Sequence, residues 1–525
     1  MEHQDTRNTK TRLRSNRVGG GLPGAGNEPA IVIRHSYFVI PVLLLAGIAA
    51  AAGPALNVQG VNRAEFWAFK QDWATAMEDK LDLNVKYGDL NGIFGLFMFE
   101  PSKPWDNLRK PLRLFDYTLA YSPKKFEVLY GKYFQTFGKG LALRSYQDDD
   151  FRHYKSLFGL RGTAKLPLRT DLVLLGGRLR DVFFQQNTYQ ILNASDTGDQ
   201  VLGADLTTRP WKRTAFGGRY VRVNRSTDLT AKAFGELFGG NASAGIGPVE
   251  VYGEGCWRLG TKPGIGGRET GKGYYFNASF AQPGYSLLGE YMDYDKLAVP
   301  SGVYHYNDPP TPIKSGVAIN RGVDEHGFGV TATATPFGPL YLEGVYGRLY
   351  THDNTSAGVV EWEGKSRYSA GTAWTFEAKF NHMLQKNIEL HVLDRVVDNP
   401  TVHVNWVGGQ HTIAFEGAYG FVSETRDDPP QPGLMKYHET VVTLSYGYGA
   451  NLLFTVGWQG VDKKLNRRYN DEVSWPLFET VWSITDRNIL RVRIGSEKGG
   501  YTCSGGVCRF ESPFTGVKVQ LISRF

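Results

Sequence analysis

The sequence has little cysteine, only one long apolar run and little net charge for its size. Each of these shortages excludes a class of protein. Only three of the 525 residues are cysteine, so the chain is not a disulfide-rich scaffold. Its formal net charge is +7, an excess too small and too dispersed to indicate a nucleic-acid partner. After the apolar run near the N-terminus, no segment approaches the roughly 20 apolar residues of a membrane-spanning helix.

Motifs of catalysis and cofactor binding are missing as well. There is no G-x-S-x-G nucleophile elbow, and none of the 11 histidines belongs to a recognisable metal-binding pair. The Gly138-Lys139-Gly140 turn lacks the rest of a phosphate-binding loop. We therefore predict that the protein is not an enzyme and that it holds no metal and no cofactor.

The apolar run, Tyr37–Ala52, has the features of an export signal. Arg34 precedes it, small residues follow it, and it is short for a permanent membrane helix. We predict cleavage after Ala52 or Ala55. Residues 1–55 would then be a signal peptide with a long polar N-terminal extension.

Residues 56–525 show the composition and the alternation of an all-β protein. The 63 glycines and 28 tyrosines of the whole chain favour many short strands with tight turns over helices. Apolar and polar residues alternate with the period of half-buried strands over segments of about ten residues, the length of a tilted strand that crosses a bilayer. The clearest segments begin at Phe158, Phe328, Trp374, Leu452 and Leu490.

The connections between these segments are of two lengths, as in outer-membrane barrels with short periplasmic turns and long external loops. Short turns are predicted at Ser122–Lys125, Pro283–Gly284, Pro336–Pro339, Tyr448–Ala450 and Asp486–Asn488. Long loops are predicted at Phe137–Arg152, Asp181–Asp199, Leu259–Thr270, Asp295–Asp324, Thr351–Ser366, Glu424–Met435, Val461–Glu472 and Lys498–Ser512.

The strand count is less regular than the loop pattern. The alternation of loop lengths slips between Asn224 and Gly247 and between Arg395 and Gln410, and the raw tally is about 22 or 23 strands, whereas a closed single-chain barrel usually has an even number. We predict a single transmembrane antiparallel β-barrel of roughly 18–22 strands over residues 56–525. Residues 56–80 would contribute one strand and are too few for a globular plug.

The polar side of the predicted strands carries charge of both signs. Seven of these residues are predicted to line the lumen: Arg161, Lys165, Glu377, Lys379, Arg491, Arg493 and Lys518. The basic members concentrate in the last two strands, which suggests a mild anion preference. Charges in a lumen also arise simply because they neutralise one another.

A glycine-rich segment, Gly131–Gly162, holds the densest group of charges. They are Lys139, Arg144, Asp148, Asp149, Asp150 and Arg152. Two interpretations remain open. The segment forms a constriction inside the lumen, with opposite charges facing each other across a pore, or it is a solvated external loop.

Two of the cysteines, Cys503 and Cys508, flank Ser-Gly-Gly-Val shortly before the last strand. The spacing predicts a disulfide in an oxidising compartment, and a metal site is the weaker alternative. Cys256 is then left over as an inert buried thiol.

At these two places the chain resembles a family of largely uncharacterised, porin-like bacterial outer-membrane barrels. The likeness rests on the Phe137–Leu141 turn with the acidic residues that follow it, and on the Cys503–Cys508 loop with the alternating strand after it. The resemblance implies a barrel in the bacterial outer membrane, with lipid around it, and it implies no activity. The family has an acidic residue before the Gly159-x-x-Gly162 strand where this chain has His153 and Tyr154, so no role of that acid is carried over.

The chain ends in an alternating strand whose last residue is Phe525. In outer-membrane barrel families such a terminal aromatic strand is read by the barrel-insertion machinery. The resemblance therefore implies that Phe525 is an assembly signal and that this machinery is a partner.

Three functions follow, in decreasing order of support. The first is an outer-membrane channel for small hydrophilic solutes or ions. The second is a structural, secretion-associated or surface-binding barrel without conductance, with long loops such as Asp295–Asp324 as its working surface. The third is an enzyme in a barrel or a soluble secreted β protein.

Overall fold

The computed structural model describes residues 56–525 apart from sixteen short gaps, namely 71–73, 103–108, 149–152, 185–190, 195–198, 226–232, 262–266, 302–303, 316–318, 321, 354–355, 389–391, 428–431, 464–472, 505–506 and 512–513. The predicted signal peptide lies outside the described residues. Within them, no helix is long and apolar enough to span a membrane.

The described chain is built from β-strands, and the predicted all-β class is confirmed. They are β1 (Leu56–Phe69), β2 (Thr75–Tyr87), β3 (Leu90–Pro101), β4 (Lys110–Tyr121), β5 (Phe126–Tyr133), β6 (Thr136–Phe137), β7 (Leu143–Arg144), β8 (Tyr146–Asp148), β9 (His153–Leu166), β10 (Thr170–Phe184), β11 (Ile191–Ala194), β12 (Gln200–Thr208), β13 (Thr214–Asn224), β14 (Phe234–Ile246), β15 (Val249–Thr261), β16 (Arg268–Gln282), β17 (Tyr285–Asp295), β18 (Pro300–Ser301), β19 (Tyr304–His305), β20 (Asp324–Phe337), β21 (Leu340–Tyr350), β22 (Gly358–Ala370), β23 (Trp374–Lys386), β24 (Val392–Gly408), β25 (His411–Arg426), β26 (Gly433–Tyr448), β27 (Leu452–Val461), β28 (Ser474–Thr485), β29 (Asn488–Glu497), β30 (Gly500–Ser504), β31 (Val507–Glu511) and β32 (Phe514–Arg524).

Twenty-four of these strands form one closed antiparallel barrel. Each pairs with its neighbours along the chain, and β1 closes the ring by pairing with β32 over Val61–Phe69 and Gly516–Arg524. The shorter strands β6, β7, β8, β11, β18, β19, β30 and β31 lie in the connections and are not members of the ring. Closure leaves no unpaired sheet edge, which is the condition for a sheet to stand in lipid.

The two faces of the barrel wall differ, because alternate residues of a strand point to opposite sides. One face presents exposed apolar and aromatic side chains from strand after strand, for example Leu160, Trp257, Trp362, Leu444 and Ile494. The residues between them bear most of the charged groups. Since the ring is closed, this second face surrounds the interior.

The strand number of 24 lies above the predicted range, and the structure explains the shortfall. Gly247 and Pro248 form a tight turn between β14 and β15 that the sequence analysis did not identify. Residues 392–408 form one 17-residue strand, although Asp394, Asp398 and Pro400 interrupt its apolar pattern. Recognising this turn and this strand restores the alternation at both places where it slipped.

Two further boundaries differ from the prediction. Residues 56–80 hold β1 and the start of β2 instead of one strand, and the predicted loop Thr351–Ser366 ends at Gly358, where β22 begins. With these changes the connections alternate around the whole ring. Those at one end have two to five residues, and those at the other end have five to 28.

Candidate functional site

A short hairpin, the first inner loop (residues 134–145), carries the glycine-rich turn. Its two arms, β6 and β7, pair with each other, and Ser145 Oγ accepts a hydrogen bond from the Gln135 amide at 2.7 Å. Phe137, Leu141 and Leu143 are at most 1% exposed. A solvated external loop would not bury its apolar residues in this way, so this part of the segment lies inside the barrel, and the constriction stays a prediction.

The glycines of this turn let the backbone approach the barrel wall closely. Gly138 and Gly140 have positive φ of 59° and 99°, and a Cβ on Gly138 would collide with the guanidinium of Arg219. The next amide, Lys139 N, donates to Glu254 Oε2 at 2.8 Å. Glu254 is in turn paired with Arg219 at 2.6 Å, so the turn is held on a buried ion pair of the inner wall.

The described part of a second connection, the second inner loop (residues 296–323), also lies inside. Leu297, Val299, Tyr306 and Ile313 are at most 4% exposed and belong to the same apolar cluster as the first inner loop. The prediction that Asp295–Asp324 is an external working surface is therefore wrong for these four residues. The physical reason is that an apolar loop gains more by packing against an inner wall than by standing in water.

The wall has room for this loop because glycines stand beneath it. A Cβ on Gly347 would lie 2.6 Å from Ile313 Cγ2, and a Cβ on Gly235 would lie 3.0 Å from Val299 Cγ1. Gly203 plays the same part for the first inner loop, since its Cβ would lie 2.9 Å from the Phe137 ring. Loop and wall are therefore matched in shape.

The two inner loops are joined to each other by hydrogen bonds. Asn307 is fully buried, and its Nδ2 donates to the Leu141 carbonyl at 2.9 Å. The Arg144 amide donates to the Tyr306 carbonyl at 3.0 Å, and the Asp308 amide donates to the Gly140 carbonyl at 3.1 Å. The loops thus form one unit, which we call the inner partition.

The far end of the partition is fixed by Lys314. Its ammonium group pairs with Glu363 at 2.6 Å and with Glu343, on β22 and β21. Burial alone would lower the pKa of Lys314, but hydrogen bonds from its ammonium to the two carboxylates outweigh burial and raise that pKa. The adjacent amide, Ser315 N, donates to Glu361 Oε2 at 3.0 Å.

The partition occupies one side of the lumen. Its apolar cluster includes wall residues from β4 to β22, which are thirteen consecutive members of the ring. The other eleven, β23–β29, β32 and β1–β3, present a mainly polar inner wall between apolar clusters such as Val422, Tyr437, Val461 and Trp475.

The residues predicted to line the lumen lie at strand positions that face the interior. Most of them form ion pairs with side chains of opposite charge. Arg493 and Lys518 are cross-strand neighbours. Arg493 Nε lies 2.7 Å from Glu479 Oε2, and Glu497 pairs with both cations. Lys379 lies 3.7 Å from Glu363, Lys365 lies 3.0 Å from Glu377, and Arg161 lies 2.6 Å from Glu127. Lys165 is exposed near the short-turn end of β9.

The charged cluster after the glycine-rich turn is only partly described. Lys139 and Arg144 both belong to the inner partition, and Arg144 lies 3.9 Å from Asp308. Asp149, Asp150 and Arg152 lie outside the described residues, as does the side chain of Asp148. A charge pair across a pore therefore stays a prediction. In the part of the chain that is described, no group of three His, Cys, Asp or Glu side chains could hold a metal ion.

The anchors of the second inner loop were not predicted from the sequence; they are Tyr306, Asn307 and Lys314. A signal was present, because Leu297, Val299 and Ile313 are apolar residues in a connection that was treated as solvated. The wall glycines gave a second signal, since they recur at positions of the inner phase.

Cys503 and Cys508 are direct cross-strand partners in the β30–β31 hairpin, and their side chains lie outside the described residues. Such partners have Cα atoms about 4.5–5.5 Å apart, within the range that a disulfide spans. We expect alkylation of denatured, unreduced protein to add one label, at Cys256, and three after reduction. Cys508→Ser should add a second label without reduction. Three labels before reduction would exclude the disulfide.

Phe525 lies at the seam of the barrel. Its carbonyl accepts from the Gly60 amide at 3.0 Å, and its own amide donates to the Gly60 carbonyl at 3.1 Å. Its ring covers Gly60 and packs against the cluster of Leu81, Leu83 and Met98. The last residue thus completes the pairing of the last strand with the first.

Several solved structures of large barrels resemble this chain in overall shape. The translocation pore of the P pilus usher PapC matches 89% of this chain and 99% of its own at 9% identity, with a TM-score of 0.48. The siderophore receptor PirA from Pseudomonas aeruginosa matches 90% and 81% at 8% identity, with a TM-score of 0.46. OccK11 (OpdR) from the same organism matches 66% and 95% at 14% identity, with a TM-score of 0.39. Scores at this level support no functional argument.

No curated protein matches the sequence. A family does: the one described as a family of unknown function, DUF6029, matches residues 80–338 and 443–525, which is more than half of the chain. The matched segments include both inner loops and the closing strand β32. The chain therefore belongs to the DUF6029 family of unknown function.

Proposed function

We propose that the protein is a bacterial outer-membrane channel for small hydrophilic solutes or ions, exported with its signal peptide cleaved. The observation that carries the proposal is the contrast between the two faces of the closed wall. The outer face exposes apolar and aromatic side chains that suit lipid, and the inner face bears ion-paired and polar groups that suit water.

The proposed path runs beside the inner partition, along the wall formed by β23–β29, β32 and β1–β3. Charges on this wall are largely paired across neighbouring strands, as in the group Arg493, Lys518, Glu479 and Glu497. Paired charges keep the wall hydrated but do not bind a passing ion tightly, because the electric field of each charge is cancelled by its partner within a few ångströms. The proposal needs no catalytic group and no cofactor.

Conductance of the purified full-length barrel in a planar lipid bilayer tests this function. Discrete steps should appear when the folded barrel inserts, and heat-unfolded protein at the same concentration should give none. A bilayer that stays sealed although folded barrel is present would refute the channel.

A second candidate is a barrel without conductance that serves as a structural or surface-binding component. It is favoured by one observation, the apolar core of the inner partition, which fills part of the lumen permanently. A sealed wild-type barrel that conducts once the partition is removed would support this candidate.

A further inference from the structure

The charged inner wall contains one cation that differs from its neighbours. Arg491 is exposed on β29 and faces the same side as Arg493. Its cross-strand neighbours are Gln520 on β32 and Val481 on β28, and neither carries charge. Among the described residues no ion pair or hydrogen bond involves the Arg491 side chain, whereas Arg493 and Lys518 each have a carboxylate partner.

Arg491 also lines a cavity in this wall. Its other lining residues include Glu65, Trp67, Arg493, Lys518 and Gln520. Gln520 donates its side-chain amide to Glu65, and Glu497 holds Lys518, so these groups already have partners. An anion that enters the cavity would therefore meet the guanidinium of Arg491 as an available partner.

We propose that Arg491 is a binding site on the inner wall for small oxyanions, namely carboxylates or phosphates. Such a site would give the proposed channel a preference for oxyanions, and its biological role rests on that proposed function. A planar guanidinium offers paired N–H donors that match two oxygens of one anion, which a chloride ion cannot exploit. The site would bias the path toward anions even though most other charges in the wall are neutralised.

The test reports the local potential and does not require conduction. A cysteine is placed at Val481, the cross-strand neighbour of Arg491, in a full chain with Cys256, Cys503 and Cys508 changed to alanine. The rates of modification by a negatively charged and a positively charged methanethiosulfonate reagent are then compared. Changing Arg491→Gln should lower the ratio of the negative to the positive reagent's rate by on the order of tenfold, because one unit charge about 7 Å away in water changes each rate about threefold and in opposite directions.

Inorganic phosphate serves as the probe for the oxyanion itself. It should slow the negatively charged reagent at Val481→Cys more than chloride does at equal ionic strength, and Arg491→Gln should abolish this difference. Equal protection by phosphate and chloride would overturn the oxyanion site. An unchanged rate ratio in Arg491→Gln would overturn the role of Arg491 altogether.

Arg487→Gln is the matched control, because Arg487 lies in the turn of the same hairpin and is exposed. It removes the same charge about 13 Å away along the strand, beyond the Debye length of about 10 Å in 0.1 M salt. The rate ratio should therefore stay at the value of the parent. A sealed wild-type barrel would refute the channel but leave these rates measurable, so the two failures are distinguishable.

Discussion

Replacing residues 298–320 with a short Gly-Ser linker is expected to raise the single-channel conductance by on the order of twofold, because the inner partition packs against half of the ring and its loss widens the water-filled cross-section. The first inner loop should also loosen, since Asn307 and Tyr306 provide its hydrogen bonds to the second loop. The measurement is conductance in a planar bilayer.

A single substitution should act in the same direction with a smaller effect. Gly347→Val places a side chain where Ile313 packs, and such overpacking costs about 1–3 kcal/mol. Gly344→Val is the matched control, since Gly344 lies on the same strand and nothing lies within 4 Å of its Cβ position. Equal conductance in the linker variant and the wild type would show that the partition does not restrict the path.

Deleting Phe525 should lower the amount of folded barrel in the outer membrane by about tenfold or more. The deletion removes both hydrogen bonds to Gly60, together worth about 2 kcal/mol, and the ring contact adds to the loss. The measurement is the fraction of protein in the outer membrane that migrates faster in a gel before heating than after it.

Two further variants separate the contribution of the seam from a general loss of stability. Gly60→Val should reproduce the defect with Phe525 still present, because its side chain would occupy the space of the Phe525 ring. Leu521→Ala, on the same face of β32, should keep near-normal levels, since Leu521 is 39% exposed. Normal levels of the protein without Phe525 would contradict both the seam and the implied role in assembly.

The barrel could be predicted from sequence because alternation is a local property of a strand. Segments such as Trp374–Phe380 show it plainly, and the two loop lengths follow from the same count. The predicted number of strands was too low because the local alternation is weak in some strands. Asp394 and Asp398 break the pattern inside β24, which is held by pairing with β23 and β25 over its length, and pairing partners are invisible in one segment.

The inner partition could not be derived in the same way, because it depends on contacts between distant residues. Asn307 and Leu141 are 166 positions apart, and Lys139 and Glu254 are 115 apart. The charges of Arg493 and Lys518 were identified as lumen-facing, but the carboxylates that neutralise them were not, so the last two strands appeared more basic than they are. Arg491, in the same strand as Arg493, is the residue on which the proposed anion preference now rests.

The position of the partition has a consequence for the order in which the protein acquires its structure. The partition touches wall strands from β4 to β22, which are consecutive in the ring, so its core can form while the sheet is still open. The seam needs β1 and β32, which stand at opposite ends of the described chain. The inner loops can therefore pack against the wall before the barrel closes. No loop has to be inserted into a barrel that is already closed.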